Sequence, residues 1–288
     1  MKKMQQLSKH HQHQTFIKNF QKRTRIHLSA SIIIFIFATA CTPRAEKLYN
    51  NGFDLLSKGK YLEAVEALED SAALDSNKQR QAKSLSEAAR VLRLEVKDYS
   101  KSLMLYRKLI LEAEDALVRL QAQEAVAEIY FENLQDYLTA LKELLVLEPL
   151  VTDPQKKEFI KLRIAQSMQL TGSHAAALEF IEATLSSSKY EQQNLLKLKA
   201  QIFLTLKNYD NALNTNFYLL EMDPVYFKNE NLFISQAMVY EEKQDYKMAL
   251  EFLTKHKDQI EDKNYLELRM KRLQERIINK PFSRGMRK

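Results

Sequence analysis

The sequence predicts an all-α protein, a solenoid of about six helical hairpins with one further helix capping its C-terminal end. Three observations carry this expectation. The chain of 288 residues is 45% apolar yet holds only 4 Gly and 5 Pro, enough to bury a core while offering few turn formers. A small residue also recurs with a second one twelve or thirteen positions later: Gly52 and Ala64, Ala89 and Ser102, Ala127 and Ala140, Ala165 and Ala177, Ala200 and Ala212, Ala237 and Ala249. Finally, successive second members stand 38, 38, 37, 35 and 37 residues apart, a period in the range of helical repeat arrays.

Residues 1–40 read as an address rather than as part of the fold. They carry Lys2, Lys3, Lys9, Lys18, Lys22, Arg23 and Arg25 with no acidic residue, then the apolar run that starts at Leu28 and ends in Ala38-Thr39-Ala40. A basic segment, an apolar segment and small residues make the three-part pattern of a secretory signal. From Leu28 to Ala40 there are about 13 residues, short of the ~20 a helix needs to cross a bilayer. The sole cysteine, Cys41, follows at once. Ala38-Thr39-Ala40-Cys41 resembles the lipobox of bacterial lipoproteins, which implies cleavage before Cys41 and a covalent lipid on its sulfur. Several acyl chains, palmitate among them, give stable anchoring where a single chain holds only marginally. Thr42 stands where aspartate would, by the same resemblance, favour the inner membrane. The expected location is therefore the outer membrane, facing the periplasm, with residues 41–44 as a lipidated linker.

The solenoid is expected over residues 45–261. Two antiparallel helices approach closely only where neither carries a bulky side chain, so each hairpin places one small residue on each helix at the crossing. Three residues before the second small residue stands a ring, Tyr61, Tyr99, Tyr137, His174, Tyr209 or Tyr246, often after a turn-type residue such as Asp98, Asp136, Asn208 or Asp245. In the fifth unit Leu196, Ala200 and Phe203 share one face of the first helix, while Ala212 and Leu219 serve the second, at amphipathic spacing. Asp223-Pro224 is expected to end that second helix. The second and third units hold one extra residue before the turn, and the stretch from Glu112 to Gln121 fits either neighbour. No hairpin can bury its apolar face alone, so the units must stack. Over residues 262–280, Leu266, Met270, Leu273 and Ile277 line one face of a capping helix, and residues 281–288 form a basic tail.

These features resemble the tetratricopeptide repeat family over roughly residues 45–256. The first unit, Leu48-x-x-x-Gly52-x-x-Leu55 with Gly59-Lys60-Tyr61-x-x-Ala64, and the fifth, Ala200-x-x-Phe203 with Asn208-Tyr209-x-x-Ala212 and Pro224, match most clearly. The resemblance implies a right-handed superhelix whose concave wall is made by the first helices, with peptides or extended protein segments as ligands. The side chains expected on that wall are Tyr49, Phe53, Arg90, Arg93, Glu124, Glu128, Gln166, Gln169, Lys197, Gln201, Ile234 and Met238.

Charge and chemistry narrow the function. The formal net charge of +7 is local to the ends: residues 41–262 hold 28 basic and 35 acidic side chains, while residues 263–288 hold nine and two. Most of the body would repel DNA, which needs basic residues gathered on one surface. His174 and His256 are the only histidines beyond the leader, and each already occupies a repeat position. No Gly-rich phosphate loop and no paired cysteines occur, and His10-His11-Gln12-His13 lies in the segment expected to be removed. The reading is a non-enzymatic lipoprotein of a Gram-negative envelope, with no cofactor besides the lipid on Cys41, no metal, no nucleic acid and no small-molecule substrate. Its expected partners are other envelope proteins and, through the anchor, the membrane. It would act as a scaffold or assembly factor. Two alternatives stand beside it: an adaptor that recruits or regulates cell-wall hydrolases, and a pilotin-like factor for a secretin or pilus system.

Overall fold

The computed structural model describes residues 44–279; the leader, Cys41 and the tail 281–288 lie outside the described residues. Among the described residues every regular element is helical, and no helix is long and apolar enough to cross a membrane. The first hairpin consists of α1 (44–57) and α2 (Tyr61–Leu74) and the second of α3 (Lys78–Val91) and α4 (Tyr99–Glu112); α5 (Ala116–Glu128) and α6 (Tyr137–Leu147) are the two helices of the third repeat. The fourth is α7 (Pro154–Leu170) with α8 (His174–Leu185), and the fifth α9 (Gln192–Thr205) with α10 (Tyr209–Met222). A short α11 (Pro224–Asn229) precedes the sixth, α12 (Leu232–Glu242) with α13 (Tyr246–Lys255), and α14 (Lys263–Ile278) follows. The chain divides into two compact units after Ile129.

All twelve paired small residues are buried. At Gly52 a Cβ would stand 2.7 Å from Cγ of Leu68, a side chain with no exposed surface, so nothing larger than hydrogen fits without moving the core. Ser102 takes the place of alanine because its hydroxyl has a partner: it donates to the carbonyl of Ala89, the matching small residue, at 2.8 Å. A buried hydroxyl without that bond would cost about 1–3 kcal/mol.

The six turns share one backbone device. Gly59, Lys97, Gln135, Gly172, Lys207 and Gln244 all have φ between 54° and 80°, the left-handed conformation that ends a helix. In four turns the next residue, Lys60, Ser173, Asn208 or Asp245, donates its N–H five residues back, to Leu55, Met168, Phe203 or Tyr240. Asp98, Asp136, Asn208 and Asp245 then cap the second helix, each side chain accepting a backbone N–H three residues ahead. The turn-type residues before the ring are thus helix caps, and the ring opens the second helix.

The extra residue of the second and third units is absorbed inside the first helix. There the last turn widens into a π-helical one, Leu92–Val96 and Ile129–Asn133. At the second of these Asp136 donates its N–H six residues back, to Tyr130. The left-handed residue and the capping aspartate keep their places.

Two other sequence expectations resolve here. Residues from Ala116 onward, with Asp115 as cap, belong to the first helix of the third unit. Pro224 does not merely follow a helix: α10 stops at Met222, and Pro224 starts α11, whose cap Asp223 accepts from the N–H of Tyr226. Proline suits that first position because its missing N–H has no intrahelical partner there.

Two apolar clusters lie among residues 162–273. One gathers Leu162, Ala165, Ala177, Ile181, Leu195, Leu198 and Ile202; the other runs from Leu196 through Phe227, Phe233 and Phe252 to Leu266 and Leu273 of α14, and Leu185 packs on both. The connection from α8 to α9 is fastened by Glu158, whose carboxylate accepts from the Ser188 hydroxyl and from the N–H groups of Lys189, Tyr190 and Glu191 at 2.7–3.2 Å. Burial opposes its ionisation, but the Ser188 bond and the three N–H groups outweigh it and hold its pKa below the usual glutamate range. At the far end Glu241 accepts from Arg269 of α14 at 2.7 Å, with both side chains largely buried.

Candidate functional site

The side chains expected to meet a partner sit on first helices at fixed offsets from the small residue. In the first unit Tyr49 and Phe53, one turn apart on α1, are half-buried with ring centroids 4.8 Å apart. Lys83 of α3 lies over both rings, at 5.6 and 6.0 Å. Its pKa is raised, first by a hydrogen bond with the Tyr49 hydroxyl. Arg90 is exposed and bound to Glu87 within its own helix at 2.6 Å. Arg93 reaches across to Glu128 of α5 at 2.6 Å, and Glu124 is half-buried on the same helix.

In the fourth hairpin Gln166 and Gln169 are half-buried on α7. Arg163, on the same helix, has its guanidinium 4.3 Å from the ring centre of Phe131 and 5.1 Å from that of Phe159, and is paired with Glu132. Lys197 of α9 donates to Glu230 at 2.8 Å, whereas Gln201 is exposed. On α12 Ile234 packs on the core and Met238 is 44% exposed.

The structure thus ties Arg93 to Glu128 and Lys197 to a neighbouring element, while Gln201 and Met238 face outward. Sequence reasoning did not single out Lys83, Phe131, Phe159 and Arg163. A register signal existed for three of them: Lys83 and Phe159 stand six residues before Ala89 and Ala165, and Phe131 four after Ala127, as Arg93 does after Ala89. Cation–aromatic contacts of this kind contribute roughly 0.5–2 kcal/mol each and fix a long side chain in place.

The two histidines lie in different surroundings. His256 stacks on Phe233 and Phe252, with centroids 4.9 and 4.6 Å away, and burial followed by the charge of Lys255 pushes its pKa down. His174 is half-buried as the first residue of α8. Among the described residues no group of three His, Cys, Asp or Glu is placed to hold a metal ion.

No protein-family model matches the chain, and no curated protein matches it. Solved structures do. A tetratricopeptide repeat protein from Parabacteroides merdae is similar over 83% of this chain and 88% of its own, at 17% identity and a TM-score of 0.54. A signal-transduction ATPase with numerous domains from Pyrococcus horikoshii, which bears a tetratricopeptide repeat sensor, is similar over 72% of this chain and 34% of its own, at 15% identity and a TM-score of 0.51. With the stacked hairpins and their buried small residues, these likenesses show that the chain has the fold of a tetratricopeptide repeat solenoid.

Proposed function

We propose that the chain is a non-catalytic scaffold or assembly factor, held by a lipid on Cys41 at the periplasmic face of the outer membrane. It binds segments of envelope proteins on the faces of its first helices. The observation that carries this reading is the chemistry of those faces: Arg163 held between Phe131 and Phe159, Lys83 over Tyr49 and Phe53, and outward Met238 and Gln201. Aromatic rings with arginine are the side chains that dominate protein interfaces. The mixture of apolar, cationic and anionic groups suits a folded or extended polypeptide better than a uniformly charged polymer.

The test is recovery of partners by crosslinking in intact cells with the full-length lipoprotein, paired with the intact mass of its mature form. The wild type should recover a reproducible envelope protein, and Phe159→Ala with Met238→Ala should cut that recovery at least tenfold while the helical circular dichroism stays unchanged. The mature chain should begin at an acylated Cys41. Recovery unaltered by the double substitution would refute the binding face, and a polypeptide that keeps residues 1–40 would refute the anchor.

A further inference from the structure

A cleft of about 620 Å³ opens where the fourth and fifth hairpins meet, between the second helices α8 and α10, with α9 as its floor. It lies away from the first-helix face. Leu196, Lys199 and Phe203 follow one another along one side of α9 at three- and four-residue steps and line the cleft, whereas Lys197 and Gln201 lie on the other side of that helix. The cleft exists because the core divides there: Leu195, Leu198 and Ile202 of α9 join the cluster beneath α7 and α8, while Leu196 joins that of α10 and α12. The six-residue connection fastened by Glu158 leaves α8 loosely packed on α9.

The lining has a definite chemistry. Lys199 is already neutralised by Glu182 of the opposite wall, at 2.5 Å, so the cleft offers no uncompensated charge. A charged ligand would lose hydration there without gaining a counter-ion. The α10 wall carries Asn211 and Asn214, exposed, whose carboxamides make no hydrogen bond within the described residues, and then Tyr218, 58% exposed. Leu185 faces them, over the apolar floor of Leu196 and Phe203.

We propose that this cleft binds an extended, uncharged segment of a partner protein through that segment's main chain. A carboxamide has the same donor and acceptor pair as a peptide unit. Residues three apart on a helix face have Cβ atoms about 5–6 Å apart, close to the ~6.6 Å between alternate residues on one edge of an extended chain. The two amides therefore meet successive outward peptide groups, while the intervening apolar side chains turn down onto Leu196 and Phe203. The wall from Asn211 to Met222 is about 16 Å long, room for about five extended residues. The site is independent of the first-helix reading.

The test selects binders from a random decapeptide library displayed against the full mature chain, and measures the best peptide by fluorescence anisotropy. Selected peptides should be uncharged and apolar. Asn211→Ala with Asn214→Ala, both on the surface, should weaken the best peptide at least tenfold, and N-methylation of its alternate amides should do the same. Gln201→Ala with Met238→Ala should leave it unchanged. No selected peptide, a charged consensus, indifference to the asparagine pair or to N-methylation, or loss on the Gln201 and Met238 pair would each overturn the assignment.

Discussion

The second and fifth hairpins perform the same task with first helices of different length. In the fifth, the cap Asn208 stands eight positions after Ala200; in the second, Asp98 stands nine after Ala89. The small residues are buried alike, the turn residues Lys207 and Lys97 are both left-handed, and the caps both hold the second helix. The surplus appears only as the π-helical turn Leu92–Val96. What the packing fixes is therefore the crossing and the turn, and the last turn of the first helix is where length is tolerated.

Deleting one residue from each helix gives the widest separation between the two. Loss of Glu95 should convert the π turn into an ordinary α-helical end and change stability by no more than about 1 kcal/mol, as for changes away from the core. Loss of Thr205 has no surplus to draw on and should cost about 3 kcal/mol or more, because it rotates Lys207, Asn208 and Tyr209 out of register. Urea unfolding of the two deletants decides it, and equal losses would break the comparison. Next in size, Ala89→Leu and Ala200→Leu should destabilise both hairpins alike, by roughly 1–3 kcal/mol from overpacking. A loss confined to the fifth hairpin would show that the π turn also loosens the crossing. Smallest, Lys97→Gly and Lys207→Gly should each stabilise by about 0.5–1 kcal/mol, since glycine adopts the left-handed conformation without a Cβ clash. A fall in melting temperature at either site would show that the lysine side chain contributes something glycine cannot.

Much of this fold was legible because one spacing recurs from repeat to repeat, so Ala200 and Ala212 announce in sequence what Ala237 and Ala249 announce again. The surplus residue was visible too, but its π turn was not, because a sequence gives the count and not the place where a helix widens. Glu158 was invisible for another reason: its partners lie 30 to 33 residues away and are mostly backbone N–H groups, which carry no side-chain signature. At the candidate face the register located Gln201 and Met238 on the outside. It could not foresee that Arg93 and Lys197 would be engaged by Glu128 and Glu230, since adjacent repeats set glutamates beside them only after stacking.

The separation of the two apolar clusters that meet at Leu185 bears on how this end of the chain comes apart. Contiguous apolar clusters tend to open as cooperative blocks, each with its own free energy. Residues from α10 through α14 share the larger cluster, and α7 and α8 share the other. A fluctuation that frees the terminal helices can thus stop at α9, sparing the fourth hairpin and its Glu158 clasp.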